Sequence, residues 1–223
     1  MKRKRELEKV SEIRSAIEEL SMMVKLKPGD NHDAAHIPTK PFLHVCNLVI
    51  QILDKIGPTM AVLRQDIHQN IQRLEIFHES DPSLYSNLVE IMKKEASEGN
   101  ARKTTSSSKA FVWLTRSLDF TLALLQKLSR DPEQSMEQAV EESYNITLKP
   151  WHGWISSAAF KYLQVALQLV PDNKTFTNLL MGKDGNNETL KEETQNLITL
   201  LSPLLEEIHS ILRVYDMDRL KST

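Results

Sequence analysis

Asp66, Asn70 and Arg73 stand at i, i+4 and i+7, the spacing that lines side chains along one stripe of a helix. A carboxylate, an amide and a guanidinium in a row can bond hydroxyls, amides or phosphates. Met60, Leu63, Ile67, Ile71 and Leu74 form an apolar stripe beside them, so the polar groups border the side that faces a core. A solvated face with an Asp/Arg ion pair has the same spacing. Two later stretches bear on the choice. Lys109, Trp113, Arg116 and Phe120 share a helical face, and an indole between cations either packs in a core or offers a flat surface to a ring. In Trp151-His152-Gly153-Trp154, two tryptophans surround a histidine and a glycine. That is either aromatic packing around a core histidine or part of a site.

The elements that must position these residues are helical throughout. Leu7, Val10, Ile13, Ile17, Leu20 and Val24 recur at helical spacing, predicting an amphipathic first helix from residue 6 to about residue 25 that docks on the body. Lys27-Pro28-Gly29 stops it, and a polar linker follows to Thr39. Pro41 opens an apolar helix that Gly57 ends, and Pro58 starts the helix of Asp66. Asp81 is placed to cap a further helix through Leu84 and Leu88 to Glu98. Residues 99–108 read as a loop, followed by an apolar helix from Ala110 to Leu128. Pro132 starts the next, then come Trp151 to Val170, a short helix from Pro171 to Leu180, and Glu188 to Val214, bent by Pro203. No stretch alternates at period two. The expectation is an all-α, layered domain of about eight helices, with residues 1–39 as a basic segment, helix and linker, and residues 40–223 as the main body of a single domain.

Composition narrows the function. The chain has 223 residues, 40% hydrophobic and 26% charged, with a net charge of −2. No basic field is available for binding nucleic acid through its backbone, so no nucleic-acid partner is expected. A single cysteine, Cys46, excludes an internal disulfide framework and a cysteine-rich zinc site, and it reads as a buried packing residue. Neither a leader nor a membrane span is expected, since Lys2 to Arg5 lead into Glu6-Leu7-Glu8-Lys9 and no apolar run is long enough to cross. The sequons at Asn145, Asn173 and Asn187 are then expected to stay unmodified, and the location is expected to be cytoplasmic. No metal or cofactor is called for, and no nucleophile elbow, zinc-hydrolase motif or phosphate-cradling glycine loop is present.

Taken together, Asp-x3-Asn-x2-Arg from Asp66, Trp-Leu-x-Arg from Trp113 and His-Gly-Trp from His152, in that order, resemble the glycolipid transfer protein family. The resemblance spans about Pro41 to Arg213 and is nearest to plant members. It implies a two-layer helical sandwich that encloses one sphingolipid and moves it between membranes without chemistry. By this resemblance Asp66, Asn70 and Arg73 bind the head-group sugar, with Asp66 also taking the ceramide amide N–H. Trp113 stacks on the sugar ring, and His152 donates to the amide carbonyl. Phe120, Leu148, Phe160 and Phe176 line the acyl-chain tunnel, and plain core residues would have the same signature. Trp154 docks on the membrane, with help from Trp151.

The implied ligand is a glycosylceramide, glucosylceramide above all, carried by a monomer in transient contact with a membrane surface. Burying a ceramide amide with an unpaired donor or acceptor costs about 1–3 kcal/mol, and Asp66 with His152 would satisfy both groups. Members of the family that carry ceramide 1-phosphate have a basic residue at the Asn70 position and an arginine at the Trp113 position. Lys109, however, falls where that branch has another arginine, which makes it a possible head-group contact and keeps ceramide 1-phosphate as the alternative ligand. Pro150 precedes the His-Gly-Trp motif, and about three extra residues lie near Lys161 to Gln164. The insertion, with the added N-terminal helix, leaves a third reading, a helical interaction module without lipid transfer.

Overall fold

The computed structural model describes residues 11–25, 35–151, 167–181 and 186–221. Eight α-helices are found among them and no β-strand. The first, α1 (Glu12–Lys25), turns Ile13, Ala16, Leu20 and Met23 inward. Those side chains join the same buried cluster as the rest of the molecule. Arg14 is anchored 2.8 Å from Glu193, and Lys55 lies 3.2 Å from Glu12. Leu7 and Val10, expected on this helix, lie outside the described residues.

Helix α2 (Thr39–Ile56) begins two residues before Pro41. A proline is tolerated there because a first-turn N–H has no intrahelical partner to lose. Gly57, with φ of 99°, ends the helix. Pro58–Met60 makes one 3-10 turn and leads into α3 (Ala61–Ser80).

The expected cap at Asp81 belongs to a smaller element. Its carboxylate accepts from Leu84 N–H at 3.1 Å and starts only the 3-10 turn Leu84–Ser86. The α-helix proper, α4 (Leu88–Ser97), is capped by Asn87, whose Oδ1 accepts from the Val89 N–H. The same oxygen accepts from the Ile37 N–H at 2.9 Å, and Asn87 Nδ2 donates to the Ala35 carbonyl. One amide therefore fixes the entry to α2 and the start of α4 together. Sequence spacing alone does not carry that long-range partner.

Helix α5 (Ser107–Arg130) starts three residues earlier than expected and is the best-buried helix. Its start lies in a serine-rich stretch that reads as loop, yet Ser106 caps it by accepting from the Lys109 N–H at 3.0 Å. The buried Glu95 of α4 accepts from the Ser107 and Ser108 N–H groups at 2.8 and 2.7 Å, and from the Ser108 hydroxyl at 2.5 Å. Those are the orphan donors of a helix N-terminus, where negative charge is favoured.

Helix α6 (Met136–Thr147) is capped by Ser135. Pro132, expected to open it, sits in the preceding turn, with its carbonyl accepting from Asn173 Nδ2 at 2.9 Å. Lys149–Trp151 and Leu167–Leu169 are 3-10 turns. The helix expected from Trp151 to Val170 therefore does not include its two described ends, and residues 152–166 lie outside the described residues. Helix α7 (Asn173–Met181) follows. The chain then forms α8 (Asn187–Val214), which is capped by Asn186 and holds Pro203 within it. The helices pack as two layers. α1 lies on α2 and α8, and α2 lies on α3, while α5 is packed by α3, α4, α6 and α8. The buried apolar side chains of all eight helices form one cluster between the layers. Cys46 is part of it, and burial pushes its thiol well above the ordinary cysteine range.

Candidate functional site

The seam between α3 and α5 collects most of the sequence-expected head-group residues. On α3, Asn70 is buried, and its Nδ2 donates to the Asp66 carboxylate at 3.1 Å and to the Asp66 carbonyl at 2.9 Å. The Asp66 carboxylate is thus oriented from within its own helix, and Asn70 keeps its amide oxygen as the group it can offer a ligand. Desolvation by the surrounding protein holds the Asp66 carboxyl above the usual range, and the nearby Arg73 charge works the other way. The side chain itself still reaches solvent. It is therefore crowded by neighbouring protein yet open to solvent.

Arg73 spans the seam. Its Nη1 donates to the Thr104 carbonyl at 3.3 Å, in the loop that leads to α5. It is also close enough to Lys109 on α5 to lower that ammonium's pKa, after burial, which acts more strongly. Lys109 is only 6% exposed. Two cations and one carboxylate therefore face one another across two helices. The start of α5 is held by Glu95 and Ser106, and Lys109 and Trp113 follow it one turn apart.

Trp113 is half-buried. The Arg116 guanidinium carbon lies 4.8 Å from its ring centroid and 4.3 Å from the ring centroid of Trp151. Arg116 is 2% exposed, and its Nη2 donates to the Asp218 carbonyl at 3.1 Å. Burial pulls the guanidinium down to about 10, against the opposing charges of Asp119 and Asp218. Along this seam run the Asn70 bond to Asp66, the Arg73 bond to Thr104, the charge effects of Arg73 on Asp66 and Lys109, and the Arg116 contacts with Trp113 and Trp151. His152, the next residue in sequence, lies outside the described residues, as do Trp154 and Phe160.

The expected tunnel residues Phe120, Leu148 and Phe176 are 1%, 3% and 2% exposed and belong to the single buried cluster. Trp151, expected to help docking, is half-buried with its ring on Arg116. Among the described residues no cluster of three His, Cys, Asp or Glu side chains is arranged to hold a metal ion, and no helix is long and apolar enough to cross a membrane. Sequence reasoning named Arg116 as a cation beside Trp113 but gave it no role. Its signal was present in the i, i+3 spacing from Trp113, but the second indole comes from a distant turn. Asp218 carried no signal, because the bond it makes to Arg116 is through its main-chain carbonyl, which any residue could supply.

Comparison with known proteins identifies the lineage. A family profile described as glycolipid transfer protein (GLTP) matches residues 37–182. The chain is 56% identical over 235 residues to "Glycolipid transfer protein 3" of Arabidopsis thaliana, with 100% of both chains covered. A solved structure that addresses how FAPP2 selects simple glycosphingolipids using the GLTP-fold superposes with a TM-score of 0.80 at 22% identity, over 96% of this chain and 100% of the other. A point mutant of Arabidopsis ACD11, solved as a complex with C12 ceramide-1-phosphate, superposes with a TM-score of 0.79 at 17% identity, over 94% of this chain and 98% of the other. With the profile covering well over half its length, this chain belongs to the glycolipid transfer protein family.

Proposed function

We propose that this chain is a non-enzymatic carrier of glycosylceramides, glucosylceramide above all. It binds the sugar and amide at the α3–α5 seam and holds the acyl chains in the apolar interior. The observation that carries this reading is that α3, with Asn70 bonded to Asp66, packs on α5, which bears Lys109 and Trp113, and that Arg73 of α3 donates to the Thr104 carbonyl in the loop leading to α5. A sugar has hydroxyls around its rim and C–H groups on its faces, so a carboxylate, an amide and a guanidinium suit the rim and an indole suits the face. His152 supplies the donor for the amide carbonyl.

The energy scale explains why a carrier is needed. Exposing roughly 25 to 30 methylenes at about 0.8 kcal/mol each costs on the order of 20 kcal/mol, so unassisted desorption is slow. Phe120, Leu148, Phe160 and Phe176 form the lining that replaces the bilayer, and they separate to admit hydrocarbon. Trp154 docks the carrier transiently on a membrane surface. The carrier works as a monomer in the cytoplasm.

One observation favours a second ligand. Arg73 and Lys109 place two cations beside one carboxylate, a balance that also suits ceramide 1-phosphate. Side-by-side transfer of glucosylceramide and ceramide 1-phosphate between vesicles separates the readings. The proposal expects faster glucosylceramide transfer. Movement of ceramide 1-phosphate alone overturns it, and movement of neither leaves a helical interaction module.

A further inference from the structure

We propose that Arg116 is a positioning residue of the head-group site: its guanidinium, sandwiched between the Trp113 and Trp151 indoles and held by the Asp218 carbonyl, fixes the plane of Trp113. This deepens the glycosylceramide reading and rests on it for the identity of the ligand.

The geometry is unusual for a buried arginine. Such a charge ordinarily meets a carboxylate fork that satisfies both terminal nitrogens. Here Nη2 donates to a main-chain carbonyl at 3.1 Å, and Nη1 is buried without a hydrogen-bond partner. Asp119, three residues along the same helix, is engaged by His209, whose Nε2–H donates to its two oxygens at 3.0 and 2.9 Å. What Arg116 does meet is two different indoles, with ring centroids 4.8 and 4.3 Å from the guanidinium carbon. A planar delocalised cation can serve two rings at once, whereas a lysine ammonium has no plane to share.

The sandwich joins three parts of the chain. Trp113 lies on α5, and Trp151 lies in the 3-10 turn Lys149–Trp151. Asp218 lies in the C-terminal turn, which is pinned by the buried Met217 and by the Arg102 and Asp216 ion pair. With one face of Trp113 against Arg116, a sugar stacks on the face turned away from it. Loss of the guanidinium releases the indole plane and the turn that precedes His152, while the Asp66 and Asn70 pair on α3 stays in place.

The test compares Arg116→Met, Arg116→Lys and Trp151→Leu with His209→Leu, which removes the donor of the neighbouring α5–α8 link and serves as the structural control. In lipid-free protein, the near-ultraviolet circular dichroism and tryptophan emission should change in the first three and stay as wild type in the control. The apparent dissociation constant for glucosylceramide in phosphatidylcholine vesicles should rise about tenfold or more in Arg116→Met, with no rescue by lysine. In a Trp113→Ala background, Arg116→Met should add nothing, because the two residues act through one ring. Wild-type optical signals in both Arg116 variants, rescue by lysine, or multiplying effects in the double variant would overturn the proposal. If wild type itself ignores glucosylceramide, the carrier reading fails, and the optical comparison still decides whether Arg116 sets the indoles.

Discussion

Glu95 on α4 reaches Ser108 on α5, accepting from its N–H at 2.7 Å and its hydroxyl at 2.5 Å, in a place where all three groups are buried. This contact, with the matching one to Ser107, ties the first turn of α5, which carries Lys109, to α4. Replacing Glu95 by Ala strands two buried N–H groups, and at about 1–3 kcal/mol for each lost charged hydrogen bond the fold should lose about 3 kcal/mol or more. Urea unfolding monitored by circular dichroism measures the loss, and a change under about 1 kcal/mol would refute this role.

Asp66 links stability to function with opposite signs. Its carboxyl is held above the usual value, so between the usual and the raised value the folded protein binds more protons than the unfolded one. Stability contributed by this group therefore falls as pH rises through that window, and the charged form is a burden at neutral pH. Asp66→Asn should keep or raise the melting temperature at pH 7, lessen its decline with rising pH through the acidic range, and cut glucosylceramide transfer at least tenfold. Loss of stability together with transfer would instead mark Asp66 as structural.

Lys109 shows the mirror case. Its ammonium is held below the ordinary lysine value, by burial and then by Arg73. The unfolded chain binds the extra proton between the lowered and the ordinary value, so stability rises with pH there and the charge is a burden below it. Lys109→Met should melt no lower than wild type at pH 7. Glucosylceramide transfer should stay within about threefold, and any ceramide 1-phosphate transfer should fall by tenfold or more. The reverse pattern would assign Lys109 to the sugar.

Met217 is 1% exposed, and its N–H donates to the Leu212 carbonyl at 2.8 Å, which anchors the C-terminal turn. Met217→Ala removes a fully buried side chain and should cost about 2–5 kcal/mol. Because the same turn carries the Asp218 carbonyl that holds Arg116, the tryptophan emission of the folded variant should shift as well. Differential scanning calorimetry and fluorescence below the transition report the two effects separately.

Cys46 is 1% exposed and its thiol is raised by burial, so the nucleophilic thiolate is scarce. A thiol reagent should leave the native protein unlabelled over an hour and label one site per chain in denaturant. Rapid native labelling would show that α2 opens.

The sequence by itself determined the helical class, because periodicities around Ile13, Ile67 and Leu118 persist in the buried stripes of α1, α3 and α5. It also determined the α3 stripe, since residues one turn apart on a helix must meet, and Asn70 does bond Asp66. Helix starts were misread at Asp81, Ser108 and Pro132. Each carries a local signal, but the caps in use are Asn87, Ser106 and Ser135, and at the first two starts distant partners add to the cap, Ile37 on Asn87 and Glu95 on Ser108. Only the tertiary structure decided that Arg73 faces Lys109 and that Arg116 lies between two tryptophans far apart in the chain, Trp113 and Trp151. The physical reason is that local spacing fixes neighbours within one helix, whereas contacts between helices follow from how the whole set of apolar faces packs at once.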